Sequence, residues 1–304
     1  MSKKIVITGG TGLIGKSLAK KLHQRGDNPV IITRDPVQAR GMAFINEFVR
    51  WDYKDPQSIA KKLEGAEAFV NLAGASVVGR WNDPYKMVIL NSRVQTTDAL
   101  VHAISLLEEK PKTLVSSSAT GYYGNTGDEE RDETASPGES FLSDVCRAWE
   151  QQAILARNHA VKVSVVRTGV VLSPDGGALP KMMAPFKYFM GGSVGSGTQW
   201  MPWIHIEDIV NLYIFLIDNP QDGIFNGVSP TPVTMDVFSF QLGKALGRPS
   251  MMKVPSFLIK LRFGEMAGTI LDSQRIVPVA AEKAGFRFSF PEIDAALADL
   301  LKKR

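Results

Sequence analysis

A run of glycines, GGTGLIG from Gly9 to Gly15, follows directly on the β-branched segment KIVIT (4–8). It opens into GKSLAKKLHQRG (15–26), which carries apolar residues at helical spacing and ends at Gly26. Strand, glycine turn and helix in that order leave few folds open. Gly9 and Gly12 let main chain approach a ligand with no Cβ in the way, and Gly15 lets the helix pack close to the strand. The helix's free N–H groups and positive end then face whatever lies above the turn. The pyrophosphate of a dinucleotide suits that geometry; the alternative is a turn that uses glycine for shape alone.

The pattern continues beyond the turn. PVIITR (29–34), FVRWD (48–52), AEAFVNLAG (66–74), KTLVSSSA (112–119) and VKVSVVRTGVVL (161–172) read as strands. TTDALVHAISLLEE (96–109) and SFLSDVCRAWEQQAILARNHA (140–160) read as helices between them. Alternating strands and helices with short connections predict an α/β fold, a Rossmann-type doubly wound parallel sheet. After about residue 175 the texture shifts to glycine, proline and aromatic residues, as in GGSVGSGTQWMPWIH (191–205). A dinucleotide-binding domain over residues 1–175, with strand contributions from later segments, and a smaller mixed substrate lobe over 176–304 are therefore expected.

The residue after the second strand reads the cofactor's 2′ position. A carboxylate there favours NAD; this strand ends in Thr33 and Arg34, and an arginine forms a bidentate pair with a 2′-phosphate. NADP is expected over NAD, with Asp35 as the competing acidic residue and a solvated loop arginine as the bland reading of Arg34. The net charge of +4 is dispersed, the only compact basic run being LKKR at the end, so no nucleic-acid partner is expected. The single cysteine, Cys146, cannot form an internal disulfide, and no apolar run reaches the length of a membrane span. A cytoplasmic protein with no membrane partner is expected. No His, Cys, Asp and Glu cluster has metal-ligand spacing.

These segments resemble the extended short-chain dehydrogenase/reductases, the group of the sugar-nucleotide epimerases and dehydratases. GGTGLIG is similar to their glycine motif, which implies cofactor contacts along Gly9, Thr11, Gly12, Leu13, Ile14 and Gly15. WDYKD (51–55) is similar to their adenine-proximal acidic segment, implying Asp52. NLAG (71–74) is similar to their fourth-strand motif, implying Leu72, Ala73 and Gly74. SSSATGYYG (116–124) is similar to their serine strand, and PWIHIEDIV (202–210) to the start of their substrate lobe. A narrower likeness runs nearly end to end, through VCRAWE (145–150), VVRTGVVLS (165–173) and SQRIVPVAAEKAGFRFSFPEIDAAL (273–297). It is to the branch called epimerase family proteins, whose C-terminal segment has no defined role. That branch implies NADP, with Thr33 and Arg34 at the 2′-phosphate and Arg93 of NSRVQTT near the cofactor. Relatives also imply a homodimer through paired helices.

The group's catalysts use Ser, Tyr and Lys, with Tyr-x-x-x-Lys on one helix. Tyr moves the proton, the Lys charge lowers the Tyr pKa, and Ser holds the substrate oxygen. A Glu lies four residues after the Lys, and Glu150 fits that place. The Lys position is then Cys146 and the Tyr position Leu142. None of the six tyrosines has a lysine four residues on. The serine position is retained at Ser118. Tyr122 and Tyr123 are the candidate replacements for the acid/base, against a reading of both as packing aromatics. Asp144, Cys146 and His205 are weaker candidates. Arg167 is read as a substrate-anion holder or a structural ion pair. The resulting expectation is an NADP-dependent oxidoreductase or epimerase-like protein acting on a small carbonyl or sugar-type substrate. The competing expectation is a non-catalytic NADP(H)-binding sensor or regulator.

Overall fold

Alternate side chains of the predicted strands are β-branched on both faces, as a strand needs when helices cover it above and below. In the computed structural model, which describes residues 2–36, 42, 44–45 and 47–302, these six segments and a seventh strand at residues 223–227 form one parallel sheet. They are β1 (Lys4–Thr8), β2 (Asn28–Thr33), β3 (Glu47–Arg50), β4 (Ala68–Asn71), β5 (Thr113–Ala119), β6 (Lys162–Thr168) and β7 (Gly223–Gly227). Their order is β7-β6-β5-β4-β1-β2-β3, so the order reverses at β1, which has β4 on one side and β2 on the other. In such sheets a ligand crevice opens beyond the carboxyl ends at the reversal, and the glycine turn emerges there.

The pleat divides the core. Ile5, Ile7, Ile31 and Val70 face α1 (Leu13–Gln24) and the later helix at Ile206–Asp218. Val6, Val30, Ile32 and Phe69 face α2 (Gln57–Leu63), α3 (Asp83–Ser105) and α4 (Phe141–Ile154). A third cluster lies in the second lobe. It joins α5 (Leu179–Lys187), α7 (Met235–Leu246) and α9 (Ile293–Leu300) around Leu172 and Trp203; the helix Ile206–Asp218 is α6, and α8 (Ser256–Phe263) contributes no residue to the cluster. The chain returns from this lobe to the first sheet twice, through α6 and through β7 at the sheet's edge.

Three elements differ from the sequence reading. The edge strand β7 was not read, because its five residues, GIFNG, hold no β-branched run. The segment 161–172 is not one strand: it divides at Gly169, and Val170–Ser173 leaves the sheet to pair in parallel with Trp203–His205. The helix read from residue 96 begins at Asp83. Its start is the Asn82-Asp83-Pro84 run, where the Asn82 side chain accepts the Tyr85 N–H at 3.0 Å and Pro84 needs no N–H partner. Apolar residues spread around its first turns gave no stripe to read. Among the described residues no helix is long and apolar enough to cross a membrane, and no group of His, Cys, Asp and Glu could hold a metal ion. Lys303 and Arg304 of the terminal basic run lie outside the described residues.

Candidate functional site

At the reversal of the sheet, Gly9 has φ +67°, and a Cβ there would stand 2.5 Å from the Leu72 carbonyl oxygen. Both the left-handed backbone and the close strand crossing require glycine. The turn closes with the Gly12 N–H donating to the Gly9 carbonyl at 3.0 Å. Helix α1 then starts at Leu13 with Gly12 as its cap, no side-chain cap and no acid in its first turn. Side chains cap α3 at Asn82, α4 at Ser140, α6 at His205 and α7 at Thr234, while α2, α5, α8 and α9 lack such a cap as α1 does; what sets α1 apart is the glycine turn that leads into it at the reversal of the sheet. The exposed N-terminus of α1 therefore keeps its donors and its positive end for a ligand. Thr11, Leu13 and Ile14 line this half-buried turn, and Gly15 is buried with its Cα packed on Gly9 and Gly10.

Beyond β2, Thr33 Oγ1 accepts the Asp35 N–H at 3.2 Å, a tight turn that leaves Arg34 exposed at the strand end. Next to it Tyr53 has φ +66° and packs at a 40° tilt on Trp51, 4.7 Å between ring centroids. Burial pushes the Tyr53 phenol up to about 12, the nearby Arg34 charge opposing it. Asp52 is exposed and its Oδ1 accepts the Lys54 N–H at 3.2 Å. Across the reversal, the Leu72 N–H donates to the Thr8 carbonyl at 3.1 Å, which carries Ala73 and Gly74 out over the sheet edge. Arg93 of α3 reaches under them. It donates to the carbonyls of Ala75 at 3.1 Å and Ile89 at 3.0 Å and lies 5.1 Å from the Trp149 ring, a buried setting that pulls its pKa down.

The other half of the edge holds the serine strand and α4. Leu142, Cys146 and Glu150 follow one another up a face of α4 at four-residue steps. The Cys146 thiol donates to the Ala119 carbonyl at 3.6 Å, and burial, with the Glu150 charge adding to it, pushes it up to about 11. It is neither a cation nor a ready nucleophile at neutral pH. Ser118 is only 2% exposed, and its hydroxyl donates to Glu150 Oε1 at 2.6 Å. Arg167, at the end of β6, grips both oxygens of Glu150 at 2.9 Å. Burial works against the Arg167 charge, but Glu150 and Tyr123 outweigh it and hold the guanidinium above its ordinary pKa.

Tyr123 is buried as well. Its hydroxyl receives Arg167 Nη1 at 3.0 Å and donates to Asn226 Oδ1 at 2.7 Å, and burial pushes the phenol up to about 12. Asn226 in turn donates its N–H to Glu133 Oε1 at 2.9 Å and its amide to the Val277 carbonyl at 2.9 Å, while Glu133 Oε2 accepts the Ala280 N–H at 3.0 Å. Tyr122 differs: its ring lies under the Arg167 guanidinium at 3.3 Å, it is half-buried, and its hydroxyl makes no hydrogen bond among the described residues. Asp144 points outward to Arg147 at 2.7 Å. His205 caps α6 through Nδ1 and stacks on Phe290 at 3.9 Å, and burial lowers its pKa. Asn226 and Glu133 were not singled out in the sequence. One is a polar residue inside a short strand, the other an acid in a run of acids, and neither pattern announces a buried bond.

The model of the NAD dependent epimerase/dehydratase family matches residues 5–227, and a domain of unknown function, DUF1731, matches residues 254–300. The chain is 38% identical over 303 residues to an Arabidopsis thaliana protein named epimerase family protein SDR39U1 homolog, chloroplastic, covering 98% of this chain and 86% of that one. It is also 38% identical over 301 residues to an epimerase family protein of Staphylococcus haemolyticus, covering 98% and 99%. The crystal structure of the human epimerase family protein SDR39U1 (isoform 2) with NADPH superposes with a TM-score of 0.89 at 33% identity, covering 99% of this chain and 100% of that one. The chain belongs to the NAD dependent epimerase/dehydratase family, within the extended short-chain dehydrogenase/reductases, in the branch that carries the C-terminal segment.

Proposed function

We propose that this member of the family binds NADP(H) and works as an oxidoreductase or epimerase-like protein on a small carbonyl or sugar-type substrate, without the Tyr-x-x-x-Lys dyad. The uncapped N-terminus of α1 carries the reading. Its free donors and the Gly9 turn fit a pyrophosphate, exposed Arg34 fits a 2′-phosphate, and the similar human protein was crystallised with NADPH. Leu72, Ala73, Gly74 and Arg93 would line the cofactor across the reversal, and Asp52 the adenosine end. A bound nicotinamide supplies or accepts a hydride.

The chain's own residues then divide the remaining work. Tyr122 holds the proton, because its hydroxyl is uncommitted while that of Tyr123 is bonded on both sides. Ser118 has given its only proton to Glu150, so it meets a ligand as an acceptor. One observation favours the second reading, a non-catalytic sensor of NADP(H): Leu142, Cys146, Ser118 and Tyr123 together leave the usual proton path closed.

Energy transfer from tryptophan to NADPH tests the first step. Arg34→Ala is expected to weaken NADPH by about ten- to a hundredfold, the value of a charge-assisted pair, and to leave NADH unchanged. Equal NADPH affinity in mutant and parent removes the phosphate assignment. Loss of reduced-nicotinamide absorbance against a panel of aldehydes, ketones and keto sugars tests the second. Tyr122→Phe is expected to slow any such turnover by roughly 10²–10⁴-fold. A parent that oxidises NADPH with no carbonyl on the panel leaves the sensor reading.

A further inference from the structure

The second lobe exposes a surface that neither the cofactor nor the proton path uses. Of the fifteen large apolar side chains exposed among the described residues, ten lie in two segments, 188–190 and 237–261. The segments adjoin. Arg248 lies 4.4 Å over the Phe189 ring, and the Met252 N–H donates to the Gly191 carbonyl at 3.1 Å where strands 192–194 and 252–254 pair. Directly after these strands in the chain comes α8, SFLIKLRF, a helix with five apolar residues of eight and none buried. Phe257 and Leu261, one turn apart, are 64% and 83% exposed, and Met251 beside them is 85% exposed. Ile259 and Phe263 are half-buried against the chain, while Phe257, Leu258 and Leu261 present an apolar face that calls for a partner outside it.

Shape and charge decide what that partner is. A small ligand is held in a cleft that shields its lining, and the cleft beside this patch, lined by Ser193, Asp236, Ser239, Met251, Met252 and Lys253, takes no residue of α8. The segments 179–190 and 235–263 hold seven basic residues and one acid, Asp236, which pairs with Lys253 at 3.5 Å. Two copies of such a face repel each other. Five of the seven are lysines, the residue that protein interfaces disfavour, while long lysine stems beside Phe and Leu are what an interfacial helix presents to lipid headgroups.

We propose that this face docks on an anionic lipid surface, with α8 in the headgroup plane, Phe257 and Leu261 inserted, and Lys253, Lys260 and Arg262 against the phosphates. It is a surface attachment and not a span, so it revises the expectation of no membrane partner, which rested on the lack of a spanning apolar run and does not bear on surface attachment. Flotation of the full-length protein with vesicles tests it. Binding is expected to vesicles of phosphatidylglycerol mixed with phosphatidylcholine, to fall as salt is raised, and to be absent on phosphatidylcholine alone. Leu261→Asp with Phe257→Asp is expected to reduce the partition by at least about tenfold. Both sites are exposed, so NADPH affinity and thermal midpoint should stay at parental values, which separates this inference from the cofactor reading. No flotation on anionic vesicles overturns it, as does equal flotation of the double variant. A concentration-dependent dimer in sedimentation that the double variant abolishes also overturns it, since the face is then occupied by a second copy.

Discussion

Around the glycine turn the first donors of α1 have no side-chain cap, while across the sheet Ser118, Glu150, Arg167, Tyr123 and Asn226 are bonded to one another. Both regions sit at carboxyl ends of strands of the same sheet, the first after β1 and the second at β5, β6 and β7. The first has kept its polar groups unsatisfied and exposed. The second has turned them inward and buried them. Buried polar groups are costly unless paired, so a complete network reports on what holds the lobes together. An incomplete one at a helix end reports on what the protein binds. The network's far end is bonded to Val277 and Ala280 in the C-terminal segment, so the floor of the site and that segment share one set of bonds.

If the second region is a strut, breaking it should cost stability far more than affinity. Arg167→Met leaves the Glu150 carboxylate buried with no cation, and removing one partner of such a pair costs about 3–5 kcal/mol. Urea denaturation should show that loss, and adding Glu150→Leu should restore part of it. NADPH affinity of the folded variant should change little. A loss under about 1 kcal/mol, or a collapse of affinity without loss of stability, breaks the contrast between the regions.

How far each region could be read from the sequence follows the same division. The turn is local: Gly9, Gly12 and Gly15 act within seven residues, and their strand and helix announce themselves by period. Six strands of the sheet are legible for that reason, down to the strand ends that carry Arg34 and Ser118; β7, with the sequence GIFNG, is not. The division of 161–172 at Gly169 was not, because it depends on Trp203–His205 arriving from a distant segment. The network was illegible on the same ground, since Tyr123 and Asn226 meet across 103 positions. Arg167 was read as anion holder or ion pair with nothing local to choose between them; its position against Glu150 makes the pair visible.

The first region breaks more cheaply. Gly9→Ala forces a Cβ to 2.5 Å from the Leu72 carbonyl in a backbone that side chains resist, a strain of about 1–3 kcal/mol. The turn must open to relieve it, and the donors of α1 move with it. NADPH should lose roughly tenfold to a hundredfold in affinity, read most simply as loss of the upward shift in thermal midpoint that saturating NADPH gives the parent. Parental affinity in this variant would show that the turn is only geometry.

Cys146 gives the smallest effect at neutral pH and the sharpest check on whether the second region is closed. Cys146→Ala removes one buried sulfur and should cost about 1 kcal/mol. The alkaline limb separates the variants further. A thiol that titrates near 8.5 in the unfolded chain but is pushed up to about 11 in the fold stays protonated longer when folded. The unfolded chain then holds fewer protons, so the thiol's contribution is fully present below the unfolded value and is lost as pH rises through the folded one. Tyr123, pushed up to about 12, extends the decline in both proteins. Denaturation midpoints followed with rising pH should therefore fall less steeply in Cys146→Ala than in the parent. In the native parent the thiol should also resist iodoacetamide at neutral pH until denaturant is added. A thiol that alkylates freely in the folded protein would show α4 and the serine strand to be open to solvent, and the two halves of the site would then be of one kind.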